Sequence, residues 1–239
     1  MIAALGLVAL AAVLAGMVPR RRLRCPLGSV LVDGQFCIDV FEGSVLELLP
    51  RGRSRPWSPY APLAPGGRYR ARSQRGAVPQ GYISQVQARA ACAAAGKRLC
   101  TETEWSRACR GPTATPWPYG AHYVRGRCND GRVGPVPRLF GGGDVFHETQ
   151  MMDPRLNRMP GTLMASGAAR RCTNRYGVFD MVGNLHEWVD TVRGGRGVFR
   201  GGYYVDVHIN GEGCGYATRA HAPTYRDYSI GFRCCANPR

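Results

Sequence analysis

Ten cysteines are the feature of this 239-residue chain that most limits how it can fold. Their number is even and an apolar segment opens the chain, a combination that favours an oxidising compartment and a disulfide framework. No two cysteines have the Cys-x-x-Cys spacing and no His-x-His pair accompanies them, so the pattern disfavours a zinc site. We therefore expect an extracytoplasmic protein of the periplasm, the cell envelope or the secreted fraction.

The first 24 residues predict either a signal peptide or an N-terminal membrane anchor. Residues 2–18 are apolar throughout, and Val13-Leu14-Ala15 offers a small-residue cleavage site. The segment is short for a membrane span, although the arginines that follow within residues 20–24 would favour keeping that side in the cytoplasm. We expect residues 25–239 to form one domain, with membrane contact only through the N-terminal segment.

The strong positive charge does not by itself predict a nucleic-acid partner. The formal net charge is +16, but almost all of it is arginine scattered along the chain, with Lys97 the only lysine. No basic run alternates with aromatic residues in the pattern on which bases stack. We therefore expect no nucleic-acid partner.

Two stretches of the N-terminal part contrast in their patterns. Residues 28–42 alternate around Asp33-Gly34, as two short strands of a hairpin would. Residues 50–80 are rich in Arg, Pro, Gly and Ser and show little periodicity. We predict that they form a long surface loop held down by Trp57 and Tyr60.

Capping signals predict two consecutive helices. Ser84 has the character of an N-cap for a helix that reaches about Ala95 and closes at Gly96. The capping box Thr101-Glu102-Thr103-Glu104 begins a second, shorter helix that ends at Gly111.

The segment N-R-Y-G-V-F-D-M-V-G-N-L-H-E-W-V-D, residues 174–190, predicts a compact buried loop. Gly177 and Gly183 interrupt any helical period, yet the segment carries more apolar bulk than a solvated loop. Asp180 and Glu187 could share one hard cation, with backbone carbonyls completing its shell. Alternatively, these carboxylates merely satisfy the polar groups of the turns.

Within that segment, G-V-F-D-M-V-G-N-L-H-E-W closely resembles G-L-Y-D-M-x-G-N-V-W-E-W, the signature of the formylglycine-generating enzyme (sulfatase-modifying factor) family. Three more blocks resemble the family in the expected order: residues 91–111, V-F-R-G-G at 198–202 and G-F-R-C at 231–234. The resemblance covers roughly residues 28–236. It implies an α+β, C-type-lectin-like fold with little regular secondary structure, stapled by disulfides.

The resemblance implies two structural calcium sites built from oxygen ligands, the donors that calcium prefers. The ligands of the first would be the side chains of Asn129 and Asp144 and the backbone carbonyls of Asp130 and Phe146. The ligands of the second would be the side chains of Asp180 and Glu187 and the backbone carbonyls of Gly183 and Leu185.

The resemblance also implies disulfide partners. Cys92 and Cys234 correspond to one family pair. Cys109 corresponds to a second family cysteine whose partner position here holds Tyr216, so Cys214 is its expected partner and Cys128 competes with it. The resemblance assigns no partner to the remaining cysteines, Cys25, Cys37, Cys100, Cys172 and Cys235.

Enzymes of the resembling family oxidise a cysteine of a target protein to formylglycine, using molecular oxygen and copper(I) held by two thiolates. The two matching positions here hold Asp206 and Gly211, and neither can bind copper(I) as a soft thiolate does. The family's serine after the two glycines is Tyr203 and its tryptophan before Glu187 is His186, whereas Arg219 is retained. Copper is therefore not expected as a cofactor.

The candidate groove residues are Asp206, His208, His186, Arg219 and His221. Histidine beside a carboxylate permits another metal or proton transfer near neutral pH, although each of these groups could simply make one hydrogen bond. The neighbouring tyrosines suit a recognition surface, but they could equally belong to the core: Tyr203, Tyr204, Tyr216, Tyr225 and Tyr228.

Three functions follow from these patterns. The favoured one is a domain of the family that has lost copper and binds a peptide, protein or glycan in the cell envelope. The alternative is an oxidoreductase, either of the formylglycine-generating type or with altered metal or thiol chemistry, for example at Cys214. The third is a disulfide-stapled accessory domain with a purely structural role.

Overall fold

The computed structural model describes residues 23–142 and 147–239. The predicted signal peptide or anchor therefore falls almost wholly outside the described residues, as do Asp144 and Phe146. The regular elements are short, and in chain order they are β1 (Ser29–Val32), β2 (Phe36–Asp39), β3 (Gly43–Leu48), β4 (Ser54–Pro56), β5 (Tyr69–Ser73), α1 (Gln85–Ala94), β6 (Arg98–Leu99), α2 (Glu102–Arg110), α3 (Pro135–Phe140), α4 (Glu148–Met151), β7 (His186–Arg193), β8 (Arg196–Arg200), β9 (Ala217–Thr218), β10 (Ile230–Phe232) and β11 (Cys234–Ala236).

The strands of the described residues form three small sheets. One has the order β1-β2-β11-β6, the second β10-β7-β8-β9 and the third β4-β3-β5. Only the β10–β7 pair is parallel among these described pairs. The first sheet therefore joins segments from both ends of the chain, since β11 pairs with β2.

The predicted helices and hairpin are present. Ser84 and Thr101 each cap a helix through a complete capping box, and Gly96 and Gly111 follow the helix ends in left-handed conformation. Strands β1 and β2 pair up to Val32 opposite Phe36, around the predicted turn.

Two expectations about irregular segments need correction. Residues 50–80 are more than a surface loop, because β4 and β5 lie on either side of β3 in one sheet. Trp57 does anchor this region, packing edge-on against Tyr69 at 5.2 Å between ring centroids. Residues 174–190 form a buried loop only as far as Leu185, and the strand β7 begins at His186 because β8 and β10 offer it backbone partners on both sides.

Five disulfides cross-link the core: Cys25–Cys37, Cys92–Cys234, Cys100–Cys235, Cys109–Cys214 and Cys128–Cys172. Cys92–Cys234 and Cys109–Cys214 are the pairs that the resemblance implies. Cys128 does not compete for Cys109, since it pairs with Cys172. Disulfides in this number indicate an oxidising environment.

None of the helices in the described residues has the length and apolarity that a membrane crossing requires.

Candidate functional site

The loop before β7 is built around a backbone approach that only glycine allows. Gly183 has φ +77°, and a Cβ there would lie 2.4 Å from the carbonyl oxygen of Asn129. The neighbouring Asn184 donates a hydrogen bond to Glu42 at 2.7 Å and accepts one from Asn129 Nδ2 at 2.9 Å. The loop thus connects two distant segments of the chain, those of Glu42 and Asn129.

A buried ion pair lies at the start of β7. Arg233 donates to Glu187 at 2.8–3.2 Å and is itself fully buried, while Trp105 Nε1 donates to the same carboxylate at 2.7 Å. The guanidinium also donates to the backbone carbonyls of Asp39 and Phe179. Glu187 is therefore balanced by an arginine as well as being a candidate metal ligand.

Two further carboxylates lie in the same buried region. Asp180 accepts a hydrogen bond from the Gly167 amide at 2.6 Å, and burial raises the pKa of Asp180 to about 6. Burial and the charges of Asp180 and Glu187 raise the pKa of Glu42 well above its usual range. One Glu42 oxygen accepts from Ser166 and Asn184, whereas the other is buried without a partner among the described residues. Three carboxylates thus share one arginine.

Some features of this region are relevant to the second predicted calcium site, which stays a prediction. The donors are oxygens, and the unpartnered Glu42 oxygen is a buried acceptor that a cation would satisfy. Over the described residues, no group of three or more His, Cys, Asp or Glu side chains is arranged to hold a metal. A calcium ion there would therefore have to draw on backbone carbonyls such as those of Gly183 and Leu185.

The side-chain ligand that the first predicted calcium site would take from Asn129 is already engaged by protein groups. The side-chain oxygen of Asn129 accepts from Arg132 Nε at 2.9 Å, and its amide nitrogen donates to Thr162 and Asn184. Asp130 accepts from the Tyr123 hydroxyl at 2.8 Å. The Arg132 guanidinium thus already donates to the Asn129 side-chain oxygen that calcium would need as a ligand.

The residues at the copper positions do not suit copper(I). Asp206 accepts hydrogen bonds from the amides of His208 and Ile209, so it caps its own turn. Gly211 has no side chain to offer. All ten cysteines of the sequence lie in the five bridges, so no thiolate remains in this chain for a soft metal.

His186 lies in an aromatic enclosure. Its ring centroid is 4.7 Å from that of Phe199, 4.8 Å from Tyr203 and 5.4 Å from Tyr216. Burial lowers the pKa of His186 to about 3, and His221 adds to that effect. Its Nδ1 is buried without a hydrogen-bond partner in the described residues. This histidine is therefore neutral at physiological pH and lacks the carboxylate that a general base would use.

The other groove candidates are dispersed. His208 packs against Trp117 and Tyr123. The exposed Arg219 places a guanidinium nitrogen 3.5 Å from a carboxylate oxygen of Glu102. His221 stacks on Tyr225 at 4.0 Å and shares Phe199 with His186. The structure thus brings together two of the five candidates, His186 and His221.

The tyrosines divide into core and edge. Tyr204, Tyr216 and Tyr228 are buried, whereas Tyr203 and Tyr225 keep part of their surface exposed. Tyr203 packs against His186 at 4.8 Å between ring centroids, and Tyr225 stacks on His221, which shares Phe199 with His186. We call Tyr203, His221 and Tyr225 the aromatic edge. Asp227, buried beneath it, accepts from the Tyr225 hydroxyl at 2.7 Å and from Ser229.

Sequence reasoning missed Asp227 and Glu42, although both are unusual as fully buried carboxylates. The only local signal for Glu42 is its position three residues after the buried strand β2, and its partners come from residues 166 and 184. Burial raises the pKa of Asp227, and the hydrogen bonds from Ser229 and Tyr225 oppose that rise.

Fold and site together define a disulfide-stapled α+β domain of the C-type-lectin-like class. A model of the family described as "Sulfatase-modifying factor enzyme 1-like domain" matches residues 54–238. The chain belongs to this family, also known as the formylglycine-generating enzyme family.

Similar proteins include two named "Inactive C-alpha-formylglycine-generating enzyme 2", from Bos taurus and Mus musculus. Both are 28% identical to the chain, over 73% and 74% of its length, and the match covers 54% of each relative. The "Formylglycine-generating enzyme" of Mus musculus is 33% identical over 45% of the chain and 25% of that protein. The chain thus spans about half the length of the first two relatives.

Solved structures with a similar fold include two variants of a Major Tropism Determinant. The I1 variant has a TM-score of 0.51 at 13% identity, covering 91% of this chain and 54% of that one. The P3c variant has a TM-score of 0.50 at 15% identity, covering 92% and 55%. At these identities the likeness concerns the fold alone.

Proposed function

We propose that this chain is an exported member of the family that does not carry out copper-dependent cysteine oxidation and instead binds a peptide or glycan. The observation that carries the proposal is the pairing of all ten cysteines, which leaves no thiolate for copper(I). Asp206, at one of the copper positions, accepts hydrogen bonds from the amides of His208 and Ile209 in its own turn, which agrees with that loss. The five bridges support export to an oxidising compartment such as the periplasm, the cell envelope or the medium.

The aromatic edge is the proposed recognition surface. Tyrosine supplies contact area and a polar tip at low entropic cost, and the edge is backed by buried groups that fix its side chains. The Tyr225 hydroxyl donates to the Asp227 carboxylate at 2.7 Å, and the Tyr225 ring stacks on the His221 ring. A ligand would therefore meet a surface that is already ordered.

The alternative, an enzyme with altered thiol or acid–base chemistry, has less support. Cys214, the thiol candidate, is bridged to Cys109. Neither His186 nor His221 forms a hydrogen bond with a carboxylate among the described residues, so the proton-transfer pair that an acid–base mechanism needs is not assembled.

The loss of oxidase activity is tested by incubating the oxidised full chain with a cysteine-containing sulfatase-type peptide, copper and oxygen. We expect no aldehyde by mass spectrometry, because no thiolate is present to hold copper(I). A copper-competent family member serves as the positive control. Copper-dependent aldehyde formation would show that other ligands hold the metal and that the chain is a working oxidase.

Recognition at the aromatic edge is tested with two fluorescent probes, a serine variant of the same peptide and cellotetraose. We expect saturable binding of one of them, weakened about tenfold by Tyr225→Ala, because a well-packed interface tyrosine contributes on the order of 1–2 kcal/mol. Tyr60→Ala changes a partly exposed tyrosine between β4 and β5 and should leave binding unchanged. If peptide and oligosaccharide arrays both fail to give saturable binding, the structural accessory role replaces this proposal.

A further inference from the structure

A second concave surface of the protein is lined by arginine. A cleft of about 510 Å³ lies between the end of α2, the loop after it and the segment around Cys172. Five arginines line it, and no aspartate or glutamate does: Arg110, Arg127, Arg170, Arg171 and Arg175. We call this surface the arginine cleft. It shares no residue with the aromatic edge.

The charges of the arginine cleft are not compensated within the described part of the chain. None of the five arginines belongs to an ion pair there. Arg107, one turn earlier on α2, shows the usual arrangement, since its guanidinium pairs with Asp33 at 2.6 Å. Five like charges around one concavity repel one another and attract counter-ions.

Disulfides hold these arginines together against that repulsion. Arg127 precedes Cys128 and Arg171 precedes Cys172, and the bridge between these cysteines brings their Cα atoms to 4.7 Å. Arg110 follows Cys109, which is bridged to Cys214. The covalent framework therefore fixes three arginines beside the cleft whatever their mutual repulsion.

Arg127 is also ordered by noncovalent contacts. Its guanidinium lies 5.0 Å from the centroid of the Tyr119 ring, and its Nε donates to the carbonyl of Arg171 at 3.3 Å. Since Nε is engaged, the terminal amino groups are the donors that remain for a ligand. The side-chain amide of Asn174, by contrast, already donates to the carbonyls of Ala108 and Cys109. Asn174 therefore lines the cleft without offering a donor to a ligand.

We propose that the arginine cleft binds a sulfate or phosphate ester. Arginine presents a planar fork of donors that matches the oxygens of a tetrahedral anion, and such charge-assisted bonds are stronger than neutral ones. The volume is within the range of pockets that hold whole small molecules, so it has room for the carbon skeleton of an ester as well as its anionic group. The ligand neutralises charge that the fold leaves uncompensated.

The test measures binding to the oxidised full chain by calorimetry at constant ionic strength, using glucose 6-sulfate, glucose 6-phosphate, inorganic sulfate and inorganic phosphate. We expect saturable binding of at least one ester. The double variant Arg170→Gln/Arg175→Gln changes two exposed side chains of the cleft and should weaken binding by about tenfold or more, because it removes two guanidinium groups that can donate charge-assisted hydrogen bonds to the anion.

The matched control Arg53→Gln/Arg70→Gln removes two exposed arginines outside the cleft and so makes the same change in net charge. Equal weakening by both double variants would overturn the proposal, because it would mean general attraction to a basic protein. Absence of saturable binding of every probe would also overturn it, as would a clear preference for a single-stranded oligonucleotide over the esters. Equal affinity for esters and free ions would support the arginine chemistry and assign the site to the oxyanion alone. Since the aldehyde assay involves none of these residues, failure of either proposal leaves the other standing.

Discussion

His186 is buried and neutral, so it does not supply the charge change near neutral pH that histidine usually provides. It is enclosed by Phe199, Tyr203 and Tyr216, and burial holds it neutral by lowering its pKa to about 3. The unfolded chain has no such enclosure, so its imidazole takes up a proton near pH 6.5. Between these two values the unfolded state binds more protons than the folded state, and the free energy of unfolding falls as the pH is lowered.

The replacement His186→Phe should reduce this acid sensitivity. Between pH 7 and pH 5 the original protein should lose about 2 kcal/mol more of its free energy of unfolding than the variant, because the proton uptake of the unfolded histidine is removed. Urea unfolding at the two pH values measures the difference. His122→Gln, at an exposed position, should keep the original pH dependence. An unchanged slope in His186→Phe would mean that the imidazole is protonated in the folded state.

The loop that enters β7 is where local backbone geometry controls an element. Gly183 and Gly177 both have φ near +77°, but only Gly183 faces another segment at contact distance. The two glycines therefore separate the cost of a left-handed conformation from the cost of a steric clash.

Gly177→Ala should cost about 1–2 kcal/mol, the usual penalty of a side chain in left-handed conformation. Gly183→Ala should cost on the order of 1–3 kcal/mol more, because its Cβ would meet the carbonyl oxygen of Asn129 and push the loop away from that segment. Chemical denaturation of both variants tests this order. Equal losses would show that the loop moves aside freely.

The elements that the sequence predicts correctly are those determined by residues close together in the chain. The caps at Ser84 and Thr101 and the hairpin at Asp33-Gly34 each depend on residues a few positions apart, and all are present. The strands β4, β5 and β7 were missed because their stability comes from partners elsewhere in the chain. The same reason hid Glu42 from the candidate site, since its partner Asn184 lies 142 residues away.

The balance of buried charge is a property of the whole molecule, because its members come from three segments: residue 42, residues 180–187 and residue 233. Glu42, Asp180 and Glu187 lie around one fully buried arginine, Arg233, and the pKa of Asp180 is raised to about 6 by burial. A divalent cation would complete the neutralisation and would bind the folded state only, so it would stabilise the protein by mass action.

Chelation of calcium should therefore lower the melting temperature by several degrees, and added calcium should restore it. An excess over the dissociation constant of about a hundredfold corresponds to about 2.7 kcal/mol. The effect should be larger at pH 7 than at pH 5, because Asp180 must lose its proton to bind the ion. Asp180→Asn should weaken the response, whereas Asp190→Asn, which alters an exposed carboxylate paired with Arg89, should not. A melting temperature that does not change on addition of chelator would contradict the predicted calcium site.

The strand β11 carries two neighbouring cysteines, and each is bridged to a residue more than a hundred positions earlier. During synthesis, Cys92 and Cys100 leave the ribosome long before Cys234 and Cys235 exist. For that interval they are close neighbours on an incomplete chain, and an oxidant can join them to each other. The correct pairs then have to arise by exchange after the last strand arrives. We therefore expect the yield of correctly bridged protein to depend on a disulfide isomerase as well as on an oxidant.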